Sequence, residues 1–586
     1  MAVAKKFTAK TSSLPSPIGG WNARDSLAEM AATDAVTLTN WFPTPTDVTL
    51  RKGYTKYSTG ITGDVNSLMN YAGPSSQTLF AAAGSSIYNC NTSTASVVAT
   101  GLTNSKFQHV NIATPGGSFL VACNGADAVQ IYDGTSWFKV ATTTTAQTIL
   151  TITGSGTTAT LTTAAAHGLV TGNRVTISGA TPAAYNGTFV ITVTSTTTFT
   201  YTMLSTPGIN ASAVGTYSVI GITGVNSNTF VNVNLFKNRL YFTQINTLKC
   251  WYLDVNAIGG AANPLDFGSI ARNGGFLQAM GTWTLDAGQG ADDYAVFVTN
   301  MGEVIVYNGT DPTSSTTWAL KGVWQLGQTF NRRCFFKWSG DLLLLTQDGL
   351  VPLASALQSS RLDPRVNLTD KIYFAVSLAA SNYYDNFGWQ VNYFAAENML
   401  ILNIPISGGT QQYVMHTITK SWANFTGINA NCFETSGKAG MYFGSNGFVG
   451  KFYDGLSDAG NNITATSQQA YSYFDTPGQL KRYTMVRPIL QSSGGVPGVF
   501  VGLSVDFDTQ SQLGAVNFNP GNASTGSWDS AVWDTAVWAG GLVTTKIWQG
   551  VTGIGFAASI NLNVASQNIE LHWASTDYVM EAGGVL

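Results

Sequence analysis

The four histidines, His109, His167, His416 and His572, are the residues best suited to proton transfer or metal ligation near neutral pH. None has another histidine or a cysteine at ligand spacing. His167 precedes Gly168 in a strand-rich stretch, where a packing or turn role outweighs catalysis. Two close acid pairs, Asp292-Asp293 and Asp506 with Asp508, invite comparison with glycosidases. That chemistry needs two carboxyls about 5 to 9.5 Å apart in space, which sequence neighbours do not report. Both pairs fall at strand edges, where solvated acids are common. Asp506 and Asp508 offer oxygens to calcium, but the rest of an EF-type loop is missing. No Gly-x-Ser-x-Gly elbow, Walker loop or His-Glu-x-x-His occurs. The glycine-rich "GSGTTATL" from Gly154 runs on into strand residues, whereas a phosphate loop must open a helix. The expectation is a chain with no catalytic, cofactor or metal site. One aromatic row stands apart: Trp528, Trp533 and Trp538, in "WDSAVWDTAVWAGG", recur at a spacing of five. That period fits one face of neither a strand nor a helix. It reads as a loop tucking its indoles against a sheet edge, with a carbohydrate-binding platform as the alternative.

Composition points to β structure. Charged residues make up 10% of the chain and aromatics 12%, and there are 62 glycines; helix-forming Glu and Lys are scarce, and tight turns are abundant. A net charge of -3 gives no sign of a surface that grips phosphate backbones, which requires basic patches that release counterions. Cys90, Cys123, Cys250, Cys334 and Cys432 are odd in number and never form a C-x-x-C pair, so free thiols are expected rather than a disulfide framework or zinc site. The opening "MAVAKKFTAKTSSLPSPIGG" lacks the apolar core of a signal peptide, and no run reaches the roughly 20 apolar residues that span a bilayer. Synthesis as a soluble cytoplasmic protein is the expectation.

The elements that position these residues repeat. An apolar run, a short turn with Gly or Asn, and a second run often ending in Tyr-Asp-Gly recur in "LFAAAGSSIYNCN" from Leu79 and "FLVACNGADAVQIYDGTSW" from Phe119. Further copies begin at Asn238, Tyr294, Asp341, Asn398 and Gly440. Each reads as a β-hairpin. With one insertion set aside, copies lie about 40 to 57 residues apart, the length of a four-stranded propeller blade. The predicted fold is all-β: a six- or seven-bladed β-propeller over 61–141 and 218–460, with an open set of hairpins in a sandwich as the alternative. Between the second and third copies, residues 142–217 turn Thr-, Ala- and Gly-rich and read as an inserted β-bead, in which Asn186-Gly187 marks a hairpin turn. Its "HGL…G..V.ISGA….NGTF.V" skeleton, His167 to Val190, resembles small β modules of phage structural proteins. After about Gly460 the blade motif stops, and alternation over 461–586 predicts a C-terminal β-sandwich.

Residues 1–60 read as an N-terminal arm carrying "LTNWFPTPTDVTLRKGY", Leu38 to Tyr54. Trp41 and Phe42 would each bury about 150–250 Å², enough to fix a terminus as a strap, either within the chain or onto a neighbouring subunit. This segment, the blades after it and "GLVPLASALQSSRLD" from Gly349 resemble the tail-hub or nozzle proteins of short-tailed bacteriophages, which include the packaged-DNA stabilisation proteins. In that family a short helix leads to an Asn-aromatic-x-Pro segment and then a Leu-Arg-x-x-Gly-like turn. Here these match Asn40, Trp41, Phe42 and Pro43, then Leu50, Arg51 and Gly53. The resemblance covers most of residues 20–455. It implies a hexameric ring in a virion tail, below portal and adaptor proteins and next to tail fibres or spikes, with genomic DNA passing through it. It also implies no reaction. The bead and the Trp-rich C-terminal region are not required features of that family. A receptor- or carbohydrate-binding tail protein is the second expectation.

Overall fold

The computed structural model describes residues 9–286, 291–338, 340–356, 366–437, 440–493, 497–508, 514–515 and 542–582. Among them, strands fall into blades arranged around an axis. The second blade shows the plan: Gln108–Thr114, Gly117–Cys123, Gln130–Tyr132 and Trp137–Lys139 pair in sequence order, each antiparallel to the last. The third, fourth and sixth blades repeat it, starting from Phe230–Phe236, Leu277–Asp286 and Gln390–Phe394. The fifth has three strands, Phe335–Trp338, Asp341–Thr346 and Gly349–Pro352. Neighbouring blades cover both faces of each sheet, so middle strands read as continuous apolar runs rather than alternating ones. Leu342, Leu343, Leu344 and Leu345 are all buried.

A 19-residue strand, Tyr54–Ala72, closes the ring. Its first half pairs with Gly440–Phe452 and its second half with Gln77–Ala83. It is thus both an outer strand of the seventh blade, whose inner strand is Cys432–Ser436, and the inner strand of the first. Segments from opposite ends of the chain therefore share one sheet. Among the described residues the propeller shows seven blades by this reckoning, the upper of the two expected numbers. The copy from Gly440 differs from the expected hairpin: Gly440–Phe452 is one long strand, with its irregularity at Asn446 to Phe448, because each half has a different partner.

The bead has its own two sheets. Ile149–Ser155, Thr158–Thr163, Thr198–Thr202 and Thr192–Val193 form one; Arg174–Thr181, Gly187–Val190 and Ala213–Val219 form the other. A separate apolar core that includes Ile152, Leu161, Val175, Phe199 and Tyr217 lies between them. The bead's entry and exit are side by side, since Ala141 bridges Gly221. Asn186-Gly187 is not a two-residue hairpin turn. Asn186 follows a single 3-10 turn, and its amide accepts from Ala180 N (2.8 Å) and donates to Ala180 O (2.7 Å), standing in for a strand neighbour.

Both chain ends build the sandwich. One sheet contains Trp41–Pro43, Val48–Leu50, Leu571–Ala582, Lys481–Ser492 and Val543–Thr545, with Ala9–Pro15 and Gln549–Gly555 alongside. The other contains Asp34–Thr39, Ile463–Gln469, Ala558–Ser566 and Gly498–Val505. This second sheet runs on into the sixth blade, because Thr39 bridges Asn424 on the blade's outer strand, Trp422–Phe425. One apolar core accordingly extends from Leu562 and Trp573 in the sandwich to Phe425, Phe433 and Phe452 in the blades. The short helix that the family resemblance implies before Asn40 is replaced by turns leading into Asp34–Thr39. No helix among the described residues is long and apolar enough to cross a membrane.

Candidate functional site at the propeller–sandwich joint

The motif residues of the N-terminal segment meet where sandwich and propeller join. Thr39 lies in one sandwich sheet and Trp41 in the other, so the chain must turn sharply between them. Asn40 makes that turn in the left-handed region (φ 60°), which Asn tolerates better than most residues. Its amide Nδ2 donates to Thr464 O in the sandwich (2.7 Å) and to Thr426 Oγ1 after the sixth blade (3.1 Å). Its Oδ1 accepts from Thr426 N and Arg51 Nε, both at 2.8 Å.

Arg51 is the centre of the joint. Its side chain is fully buried, and its guanidinium grips Asp458 in a bidentate pair of 2.8 and 2.7 Å. The remaining N–H groups reach Lys52 O (3.0 Å) and Thr426 O (2.7 Å). With the bond to Asn40, every guanidinium donor is used, the condition under which a buried charge is tolerated. Asp458 lies in the link from the seventh blade to the sandwich, so one side chain ties the N-terminal segment, the sixth blade and that link. Gly53 is required by close approach: a Cβ there would lie 1.9 Å from Ser457 O. Its N–H donates to Gly455 O (2.9 Å).

The apolar motif residues fill the core beside this joint. Trp41 is buried with its ring 6.0 Å from Trp573, and Phe42 packs edge-on to Phe425 at 6.1 Å. Pro43 and Leu50 are buried in the hairpin they share. At the hairpin's tip, Asp47 accepts from His572 Nδ1 (2.7 Å), and that bond raises the imidazole above its usual range. The strap's aromatic rings are therefore buried inside the chain.

A second polar cluster lies on the propeller axis, in a cavity of about 340 Å³. Each of the seven inner strands or its approach contributes, through Leu68, Gln108, Asn232, Met280, Arg333, Asn392 and Glu434 among others. Arg333 spans between blades: it donates to Asn66 O (3.1 Å), Ser67 Oγ (3.0 Å) and Phe107 O (3.3 Å), and its NH1 to Gln390 Oε1 (3.4 Å). Its guanidinium also lies over the Phe387 ring, 4.8 Å from the centroid. Glu434 and His109 face each other at 3.6 Å, about a fifth exposed, on surface that lines the cavity. Desolvation pushes the Glu434 carboxyl up to about 8 and the His109 imidazole down to about 4, so both are largely neutral at pH 7.

No family model matches the chain, and no curated protein matches it. Among solved structures, it is similar to Sqt1 of Saccharomyces cerevisiae (11% identity, 68% of this chain and 98% of that one, TM-score 0.34). It is also similar to the Cps50 (Swd1) β-propeller domain of Myceliophteria thermophila (10%, 68% and 98%, 0.35) and to YCF48 of Cyanidioschyzon merolae (10%, 70% and 97%, 0.25). Likeness at this level carries no function; the propeller is read from its own closed ring of inner strands.

The remaining candidates are dispersed. His167 Nδ1 accepts from Leu169 N (3.0 Å) in a bead turn, and His416 caps a turn at Thr419, so the four histidines occupy four separate places. Asp293 is paired with Lys237, and Asp506 accepts from Phe556 N (2.7 Å) and Ala557 N (3.0 Å). All five cysteines are buried free thiols. No group of ligating side chains that could hold a metal occurs among the described residues. Trp528, Trp533 and Trp538 lie outside the described residues. Sequence reading missed the axial cluster. Its one visible signal was the doublet Arg332-Arg333 abutting an apolar strand in a chain with only 28 basic residues.

Proposed function

We propose that the chain is a structural subunit of a virion tail: a nozzle or hub protein of a short-tailed bacteriophage, six copies forming a ring below the portal and adaptor. The ring would retain packaged DNA and release it on ejection, with no chemical reaction. The observation that supports this reading is the coincidence of motif and joint. Asn40, Trp41, Phe42, Pro43, Leu50, Arg51 and Gly53, which carry the sequence resemblance, are the residues that lock propeller and sandwich together. A subunit that must bear the load of an ejecting genome needs such a joint to hold its two parts in one orientation.

The DNA path in this reading is the axis of the ring, not of the propeller. A cavity of about 340 Å³, crossed by Arg333, is the size of a small-ligand site, and a duplex whose major groove alone is about 12 Å wide does not enter it. A wall of low net charge, -3 over the chain, would let phosphates slide without holding them. Native mass spectrometry of the purified protein tests the assembly, with a hexamer expected. A monomer at all concentrations, both alone and with portal and adaptor proteins present, would count against it.

A further inference from the structure

The axial cavity carries positive charge for which the described residues supply no counter-charge. Arg332 and Arg333 both line it, and among the described residues neither forms an ion pair with a carboxylate within 4 Å. Arg332 makes one long side-chain hydrogen bond, 3.3 Å to Asn124 O. Asn392, on the same wall system and 8% exposed, has an Nδ2 with no partner. Part-buried guanidinium groups without a counter-charge are costly, and an anion in the cavity would supply one.

We propose that the cavity binds a small oxyanion, inorganic phosphate or the carboxylate of a small organic acid, held by Arg332 and Arg333. The planar fork of Arg332 suits both, since it matches either anion with two parallel bonds, while Arg333, whose terminal nitrogens already bond to Asn66 O, Ser67 Oγ, Phe107 O and Gln390 Oε1, adds positive charge. Among the described residues, the other titratable groups on the cavity wall are Glu434 and His109. Burial holds the Glu434 carboxyl protonated near pH 7, so it presents a donor rather than a repelling charge. The volume, about 340 Å³, lies at the small end of ligand sites, room for an anion of a few to a dozen heavy atoms. A bound anion would add a link at the axis to the hydrogen bonds that Arg333 already makes between blades, tightening the ring from its centre.

Thermal unfolding of the full chain at pH 7 and constant ionic strength tests this, with sodium chloride exchanged for sodium phosphate or sodium succinate. The midpoint is expected to rise with the logarithm of anion concentration, by about 2 °C at a hundredfold excess over the dissociation constant. Response to phosphate alone assigns phosphate; response to succinate alone assigns a carboxylate; either supports the site. Arg332→Gln should keep its midpoint in chloride and lose affinity at least tenfold. Should that variant unfold in chloride, Arg332→Lys, which keeps the charge and loses the fork, carries the same comparison, with a several-fold loss expected. A wild-type midpoint insensitive to both anions, or an equal response in wild type and the folded variant, overturns the proposal.

Discussion

Replacing Arg51 with Met removes a buried cation of similar length and leaves its partners in place. Asp458, 12% exposed, loses its bidentate pair, while Asn40 Oδ1, Lys52 O and Thr426 O each lose one donor. Breaking a buried ion pair by removing one partner costs about 3–5 kcal/mol, chiefly through the charge left uncompensated. Arg51→Lys should cost less, about 1–3 kcal/mol, since it keeps the charge but loses the fork and the bond to Asn40. The double variant Arg51→Met/Asp458→Leu should be less destabilised than the sum of its single changes, because it removes the orphaned carboxylate as well. Urea unfolding followed by the summed fluorescence of the 15 tryptophans, among them Trp41 and Trp573 beside the joint, reads the loss in global stability. If Arg51→Met unfolded within about 0.5 kcal/mol of wild type, the range of ordinary surface changes, the joint would not hold the two parts together.

Deleting residues 142–220 and joining Ala141 to Gly221 through a short Gly-Ser linker should leave a cooperative β-rich fold by circular dichroism, because those two residues already bridge; an insoluble product would refute an independent bead. Gly53→Ala should cost about 3 kcal/mol or more through its clash with Ser457 O. Gly63→Ala, at φ +86° with nothing within 4 Å, should cost only about 1–2 kcal/mol; equal costs in chemical denaturation would contradict the close approach. For Glu434, the folded carboxyl sits near 8 and its ordinary value is 4.5. As pH rises between these values the unfolded chain releases the proton and the folded chain keeps it, so this group's contribution falls, by at most about 1.4 kcal/mol per pH unit. His109 has the opposite sense: its contribution is present above its ordinary 6.5 and is lost as pH falls through about 4. Glu434→Gln should therefore gain stability relative to wild type between pH 5 and 8, and denaturation curves with a pH-independent difference would contradict it.

The blades were legible because hairpin formation is local. The apolar runs from Phe119 and Asp341 became adjacent strands of one blade each, since a turn sets the register of the two strands it joins. What was not legible depends on partners far away in sequence. Nothing near Tyr54–Ala72 announces that its two halves pair with Gln77–Ala83 and with the distant Gly440–Phe452, and nothing near Arg51 indicates Asp458. The same holds for the sandwich: its alternation was visible after residue 460, but not that strands from Ala9–Pro15 to Val48–Leu50 complete its sheets. The axial cluster was invisible for the same reason, since Arg333 and Glu434 meet only once seven strands have been arranged in a ring.

The most direct test of the central proposal is single-particle electron microscopy of the assembled protein, alone or with portal and adaptor proteins. A nozzle subunit predicts rings of six chains around an open axis wide enough for duplex DNA, with propeller and sandwich in one fixed orientation in every copy. Isolated chains, or assemblies whose centre is closed and whose only passage is the Arg333-crossed propeller axis, would contradict it.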